Sequence, residues 1–314
     1  MRSRSPKARS RGGRASPPSS SAGNGWIIRR ANGTCTLEAQ RLSRLPWLVH
    51  GFSTRIDNAR GAKGACFNLG FTGSDVRAVV AARRSRFAAV LGAADWPMIA
   101  ARQFHSDVIQ VIEKPRVPEE PPRADALITQ ARGVLLSVQT ADCVPILLAD
   151  TRRRAVAAVH SGWRGTLARI VQKTLGQMLM SFGTHPADVI AVLGPAIGPC
   201  CYQVGPEVAQ AFAGQFDAAK EWFEGPFDRL SSGEEPNPLE WLNMMPPGHQ
   251  PPPPRAQLDL RAANRWQLFD AGVPKKNIVV SSLCTACRTD LLFSYRREGP
   301  ATGRLMSAIG IRAK

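Results

Sequence analysis

Three short apolar runs set the pattern of the chain. They cover residues 134–138, 145–149 and 155–159, are rich in Val, Leu, Ile and Ala, and are bounded by Gly133, Pro145 and Asp150. Runs of this length and composition predict strands buried on both faces rather than helices. The segment Thr140-Ala-Asp-Cys143 then falls in a break between two strands, and His160 stands where a third strand ends. Backbone on both sides fixes such positions while the side chain faces an opening, which suits chemistry. Past Gly162 and Gly165 the apolar spacing becomes helical, through Leu167, Ile170, Val171, Thr174, Leu175, Met178 and Leu179.

The same reading covers the rest of the chain. Residues 26–38 predict a hairpin turning at Asn32-Gly33. Residues 47–55 predict a strand entering a loop, and a glycine-rich loop over 60–70 ends in Asn68-Leu69-Gly70. Ser74 or Asp75 caps a helix with Val76, Val79, Val80, Phe87, Val90 and Leu91 on its apolar side. Residues 98–101 lead into Arg102–Asp107, residues 124–128 open the central stretch, and strands follow over 108–112, 189–193, 277–283 and 305–311. Pro206 opens one further helix, with Val208, Phe212 and Phe216 on one face, and Asp259 another, through Leu260, Ala263, Trp266 and Phe269. The proline-dense stretch 224–256 reads as an irregular surface insertion. Strands alternate with helices and no mid-chain boundary interrupts them, which predicts one mixed α/β domain over residues 26–314.

Charge alters this picture at one end only. Residues 1–30 carry eight Lys and Arg and no acid, leaving +9 of the +17 for the remainder. Residues 1–25 predict a solvated basic tail, with transit-peptide and nucleic-acid-arm readings as the alternatives. No stretch approaches the ~20 apolar residues of a membrane span. Seven cysteines, an odd number, scattered and without an export signal, point to free thiols in a reducing, cytoplasmic setting.

His105, Cys143 and His160 each adjoin a short apolar run. Two imidazoles and a thiolate are good ligands for Zn²⁺ or copper, and three protein ligands leave a tetrahedral position open. The spacings match no zinc-finger pattern, so two buried histidines and a packing cysteine compete with this reading. A metal-free alternative makes Cys143 a nucleophile and His160 its base, with Gln103 or Asp142 orienting the ring. His50, at a predicted strand end, could line a pocket or sit in the core. Cys284-x-x-Cys287 needs a second ligand pair to hold zinc, and the vicinal Cys200-Cys201 looks poorly shaped to supply it. Arg55, Arg164, Arg296 and Arg304 occupy loops, where a planar guanidinium suits phosphate or carboxylate. Asn68 and Gln103 join them as candidate substrate contacts.

The motifs Gln103-Phe-His-Ser106, Thr140-Ala-Asp-Cys-Val-Pro145, His160-Ser-Gly-Trp-Arg-Gly165, Gly194-Pro-Ala-Ile-Gly-Pro199, Cys284-Thr285, Phe293-Ser-Tyr-Arg296 and Gly303-Arg304 together resemble the YfiH-like (laccase-domain) family over residues 45–312. The resemblance implies a single-domain α-β-β-α sandwich with mixed sheets. It implies zinc, with copper as the alternative ion, on His105, Cys143 and His160. It implies phosphorolysis of adenosine, inosine, guanosine and methylthioadenosine, with adenosine deamination as a second activity; on chemical grounds Asp142 or another polar neighbour is the candidate to protonate the departing purine or orient a ligand. Family members are also described as polyphenol oxidases and as peptidoglycan editing factors. The latter keeps open a metal-free hydrolase, or a non-enzymatic partner of a cell-wall ligase. Two departures stand out: Ser161 replaces a common Ala, and the 224–256 insertion is longer than usual.

Overall fold

The computed structural model describes residues 21–22, 25–58, 66–71, 75–232 and 255–313. The expected basic tail lies almost wholly outside the described residues, as do Ser74, most of the glycine-rich loop before Asn68 and the centre of the proline-dense insertion.

Two sheets carry the architecture. The first orders its strands Ser21–Ala22, Trp26–Ala31, Thr34–Ala39, Leu48–Asp57, Leu305–Ile311, Leu135–Thr140 and Met98–Ala100. The second runs Ile278–Val280, Val189–Leu193, Val144–Asp150, Val156–Ser161, Ala126–Thr129 and Ile109–Val111. Each mixes antiparallel pairs with parallel ones at its edges.

Successive side chains of a strand point to opposite faces, and the cores follow that rule. Leu147 and Ala149 pack with Leu136, Val138 and Ile309 between the sheets, whereas Ile146 and Leu148 face Ile170, Leu175 and Met178 of an outer helix. On the far side Leu135, Met306 and Ala308 meet Phe87 and Leu91 of the Arg77–Val90 helix region. The result is the α-β-β-α sandwich. Burial on both faces explains why these strands read as unbroken apolar runs.

Several predicted details hold. Asn32 and Gly33 both take positive φ, 50° and 75°, as a tight two-residue hairpin turn requires. Asp259 accepts the backbone N–H groups of Arg261 and Ala262 and caps the Leu260–Asp270 helix. Pro206 opens the helix Pro206–Gln215.

Other details differ. The helix after Gly162 is two, Trp163–Leu167 and Ile170–Phe182, because Arg169 adopts a left-handed φ of 58° between them. Its guanidinium is held over the Phe216 ring and donates to Gln172 and to the Gln215 carbonyl. Leu179 is 49% exposed and Phe269 47%, so neither belongs to the buried face predicted for it. The expected irregularity of 224–256 does not extend to its ends. Phe227–Ser231 is helical, and Ala256–Leu258 pairs with Gln203–Val204 and Phe223–Glu224 in a small third sheet. Among the described residues no helix is long and apolar enough to cross a membrane.

Candidate active site

The site forms where the chain passes from one sheet to the other. Leu135–Thr140 belongs to the first sheet and Val144–Asp150 to the second. Ala141, Asp142 and Cys143 make the crossing, and Asp142 takes φ 100°, a strained value for a residue with a Cβ. Its carboxylate is tied on both oxygens: Thr285 Oγ1 donates at 2.6 Å and the Arg296 backbone N–H at 2.6 Å. Asp142 therefore braces the crossing against the 284–296 loop, which leaves it poorly placed for the proton-donor role expected of it.

His160 ends its strand opposite Pro145, buried, with its Nδ1 2.8 Å from Asp125 Oδ1. Asp125 is fully buried and also accepts the backbone N–H groups of Phe104, His105 and Ser106 and the Ser106 hydroxyl. One carboxylate thus orients the His160 ring and folds the His105 loop, where His105 has φ 62°. Burial opposes ionisation of Asp125, but hydrogen bonds from His160 and Ser106 hold its carboxyl well below the usual carboxylate range. With Nδ1 engaged by the carboxylate, Nε2 is the ring nitrogen turned toward Cys143.

His105 Nε2 lies 4.0 Å from Cys143 Sγ, and the two imidazoles meet edge-on with centroids 5.0 Å apart. One ligand atom from each of His105, Cys143 and His160 falls within 4.8 Å of the others. In a tetrahedral ion with bonds of ~2.0 Å to nitrogen and ~2.3 Å to sulfur, such atoms sit ~3.5 Å apart. Burial works against the Cys143 thiolate, yet the charge of His160 and hydrogen bonds from both histidines bring the thiol down to about 6. Burial likewise opposes the His160 cation, and Cys143 with Asp125 raises it to about 9.

Gly162 makes this closeness possible. A Cβ there would stand 2.9 Å from Cys143 Sγ and 3.3 Å from His105 Cδ2. Next to it, Ser161 is not idle: its hydroxyl lies in a buried network with Thr166 and Asn264, which pins the Trp163–Leu167 helix to the Leu260–Asp270 helix.

The three residues line a pocket of about 630 Å³ whose walls include Trp163, Tyr202, Tyr295, Arg296 and Arg304. Burial and the neighbouring Cys143 push the Tyr202 hydroxyl upward, so it stays a donor. Trp163, Tyr202 and Arg296 are shared with an adjoining hollow that holds Arg164, Arg255 and Glu207. Arg296 donates to the Gln203 carbonyl, Arg304 to the Thr302 and Gly303 carbonyls, and Arg164 stacks on Trp163. Gln103 reaches the wall by a two-way hydrogen bond with the Gln139 backbone.

Two expectations fail, and a third resolves to one of its alternatives. Arg55 is not on the pocket: it lies over Phe293 and donates to Glu298 and to the Thr289 carbonyl, bracing the loop behind the site. Asn68 acts at one remove, its Oδ1 accepting the backbone N–H of Arg304. His50 takes the core alternative: its Nε2 accepts the Ala39 N–H, and burial pushes its pKa down to about 4. Cys200 and Cys201 also differ from expectation, since they converge with Cys284 and Cys287 at a second point. Sequence reasoning missed Asp125; its only signal was an acid opening the apolar run Ala-Leu-Ile.

The family described as multi-copper polyphenol oxidoreductase laccase matches residues 49–312. A purine nucleoside phosphorylase of Bacteroides thetaiotaomicron is 39% identical over 187 residues, 60% of this chain and 60% of that protein. The purine nucleoside phosphorylase YlmD of Geobacillus stearothermophilus is 33% identical over 84% of this chain and 90% of its own length. An adenosine deaminase, RL5, from an unknown prokaryotic organism is 34% identical over 83% of this chain and 93% of its own. The crystal structure of the Bacillus licheniformis hypothetical protein YfiH superposes with a TM-score of 0.74 at 28% identity, covering 91% of this chain and 99% of that one.

Proposed function

Since the chain belongs to the YfiH-like, laccase-domain family, we propose that it cleaves purine nucleosides with phosphate and deaminates adenosine, using a zinc ion on His105, Cys143 and His160. The observation that carries this reading is the convergence of those three ligand atoms within 4.8 Å on the wall of a pocket lined by aromatic and arginine side chains. The donor set fits the ion: Asp125 fixes the tautomer that leaves His160 Nε2 free, and the Cys143 thiol ionises readily. When bound, zinc supplies Lewis acidity and activates water for attack at an electron-poor carbon.

The remaining work falls to side chains. Trp163, Tyr202 and Tyr295 offer flat faces for a purine. Arg296 and Arg304, with Arg164 at the rim, supply cationic donors for phosphate beside the ribose anomeric carbon. Phosphate oxygen then forms a bond to that carbon as the glycosidic bond breaks, and the departing purine takes up a proton. Asp142 holds Arg296 in place through its backbone.

A metal-free reading has one observation in its favour. Cys143, His160 and Asp125 follow one another as thiol, base and orienting carboxylate, with the thiol lowered to about 6 and the imidazole raised to about 9. Polyphenol oxidation has less support. Reduction of oxygen to water by coppers calls for several centres, and among the described residues only one such cluster contains histidine.

The test incubates reduced, zinc-loaded protein with adenosine, with and without inorganic phosphate. Adenine and ribose 1-phosphate should appear only with phosphate, and inosine in either case. No product from protein with a full complement of zinc overturns the proposal. Full activity on a substrate after chelation to zinc-free protein favours the thiol–imidazole alternative.

A further inference from the structure

Four cysteines that take no part in the pocket meet on its outer side. Cys200 and Cys201 come from the Gly- and Pro-rich loop after the Val189–Leu193 strand, and Cys284 and Cys287 from the loop after Ile278–Val280. Those two strands are parallel neighbours, so their following loops emerge side by side, and Ala196 bridges to Cys284.

The sulfurs face one another. Cys287 Sγ is 3.5 Å from Cys200 Sγ and 3.4 Å from Cys201 Sγ, and all four sulfurs fall within 4.8 Å. Adjacent residues normally diverge, but here the chain turns tightly: Cys201 and Tyr202 N–H both return to the Gly198 carbonyl. The Gly198 N–H points at Cys284 Sγ at 3.2 Å, as backbone donors do around a sulfur that carries negative charge. Gly198 also keeps the turn close to its neighbours: a Cβ there would lie 2.9 Å from Arg261 Nη2 and 3.3 Å from Cys200 Sγ.

We propose that Cys200, Cys201, Cys284 and Cys287 form a second, all-thiolate metal site that binds one Zn²⁺ and ties the 194–205 loop to the 284–296 loop. Four thiolates in a tetrahedron select zinc, and bonds of ~2.3 Å set their sulfurs ~3.8 Å apart, inside the spread found here. An iron–sulfur cluster would hold the same ligands farther apart than a single ion does. No protein position is left open, so the site is structural. Its location says what it stabilises. The two loops carry Tyr202, Tyr295 and Arg296, three walls of the pocket, and Thr285 beside Cys284 anchors Asp142. The four thiols lie at the surface end of the loops, with Cys200 and Cys287 exposed, so the ion has a route in. Binding deprotonates whichever of the four are thiols and releases those protons to solvent.

The test uses the full chain in reduced form, purified without a metal-affinity step, and the variant Cys143→Ala, which removes the only sulfur of the three pocket ligands. Wild type should contain two zinc ions per chain and C143A one. C143A reloaded with Co²⁺ should show strong thiolate-to-cobalt charge transfer and the intense visible bands of a tetrahedral ion. Peptide mapping of C143A after alkylation should find all four cysteines protected by zinc and reactive once zinc is chelated. Adding Cys284→Ser and Cys287→Ser to C143A should abolish the remaining ion. If that variant does not fold, the cobalt spectrum and the mapping on C143A decide alone. Overturning results are a reduced C143A that binds no zinc, a cobalt spectrum without sulfur bands, a Cys200–Cys287 or Cys201–Cys287 disulfide under reducing conditions, or four thiols equally reactive with and without zinc. Because C143A lacks the pocket site, none of these outcomes depends on whether the nucleoside reading is right.

Discussion

Adding one methyl group at Gly162 should empty the proposed pocket metal site while leaving the fold standing. Gly162 has φ −80° and ψ −176°, values that alanine adopts without strain, so Gly162→Ala changes sterics and not backbone preference. The new Cβ would sit 2.9 Å from Cys143 Sγ and 3.3 Å from His105 Cδ2. Ordinary contact needs ~3.5–4.0 Å, so the sulfur must retreat by roughly 0.6–1 Å. Metal–ligand distances tolerate only about 0.2 Å. Overpacking of this size costs about 1–3 kcal/mol of stability, within the margin of a folded domain. Zinc affinity should fall by at least ~10–100-fold, the loss seen when ligand support is disturbed. The assay sets chelator competition and nucleoside turnover beside a thermal melt. Gly165→Ala is the control: its Cβ would meet nothing closer than 3.4 Å, and zinc retention should be unchanged. A G162A protein that holds zinc and turns over adenosine like wild type would refute the close three-residue geometry.

Further outcomes follow from the same contacts. Asp125→Asn replaces an acceptor of five donors by a group that can accept through one oxygen only, so zinc affinity should drop ~10–100-fold and stability by about 2–4 kcal/mol, read by chelator competition and denaturant melts. Arg296→Met should raise the KM for phosphate well beyond twofold, whereas Arg55→Met should cost about 1–3 kcal/mol of stability and leave that KM alone; equal KM effects would contradict the placement of Arg55 behind the loop. In metal-free protein Cys143 should alkylate as a thiolate down to about pH 6, where an ordinary thiol, near 9.0, is unreactive. Because its folded pKa lies below the unfolded one, ionisation of Cys143 stabilises the fold fully above the unfolded value, and that contribution is lost as pH falls through about 6. Alkylation rates that rise only toward pH 9 would contradict it.

How much of this was legible depended on the range of each interaction. The runs at 134–138, 145–149 and 155–159 announced their strands because burial on both faces leaves a local signature. His105, Cys143 and His160 could be singled out because each adjoins a short apolar run. That they meet could not be read off, since it depends on 144–150 joining a different sheet from 135–140. Arg55 and Arg304 look alike in sequence, each reading as a loop arginine, although Arg55 belongs to the Leu48–Asp57 strand. Their roles divide only because Glu298 and Phe293 capture the first. The second sulfur cluster was hidden for a related reason. Cys200-Cys201 reads as badly shaped until the Gly198 turn and the parallel pairing of 189–193 with 278–280 are known.

The crossing at Ala141–Cys143 carries a consequence for inactivation. The proposed ligand sulfur of Cys143 rides on the hinge between two separately hydrogen-bonded layers, while Asp125 holds the His160 ring and the His105 backbone from the second layer. A slip of one layer over the other by half an ångström would scarcely alter the hydrophobic contacts, yet it would take Cys143 out of bonding range. On warming, catalysis should therefore fade below the temperature at which the secondary structure melts, with the ion leaving an otherwise intact sandwich.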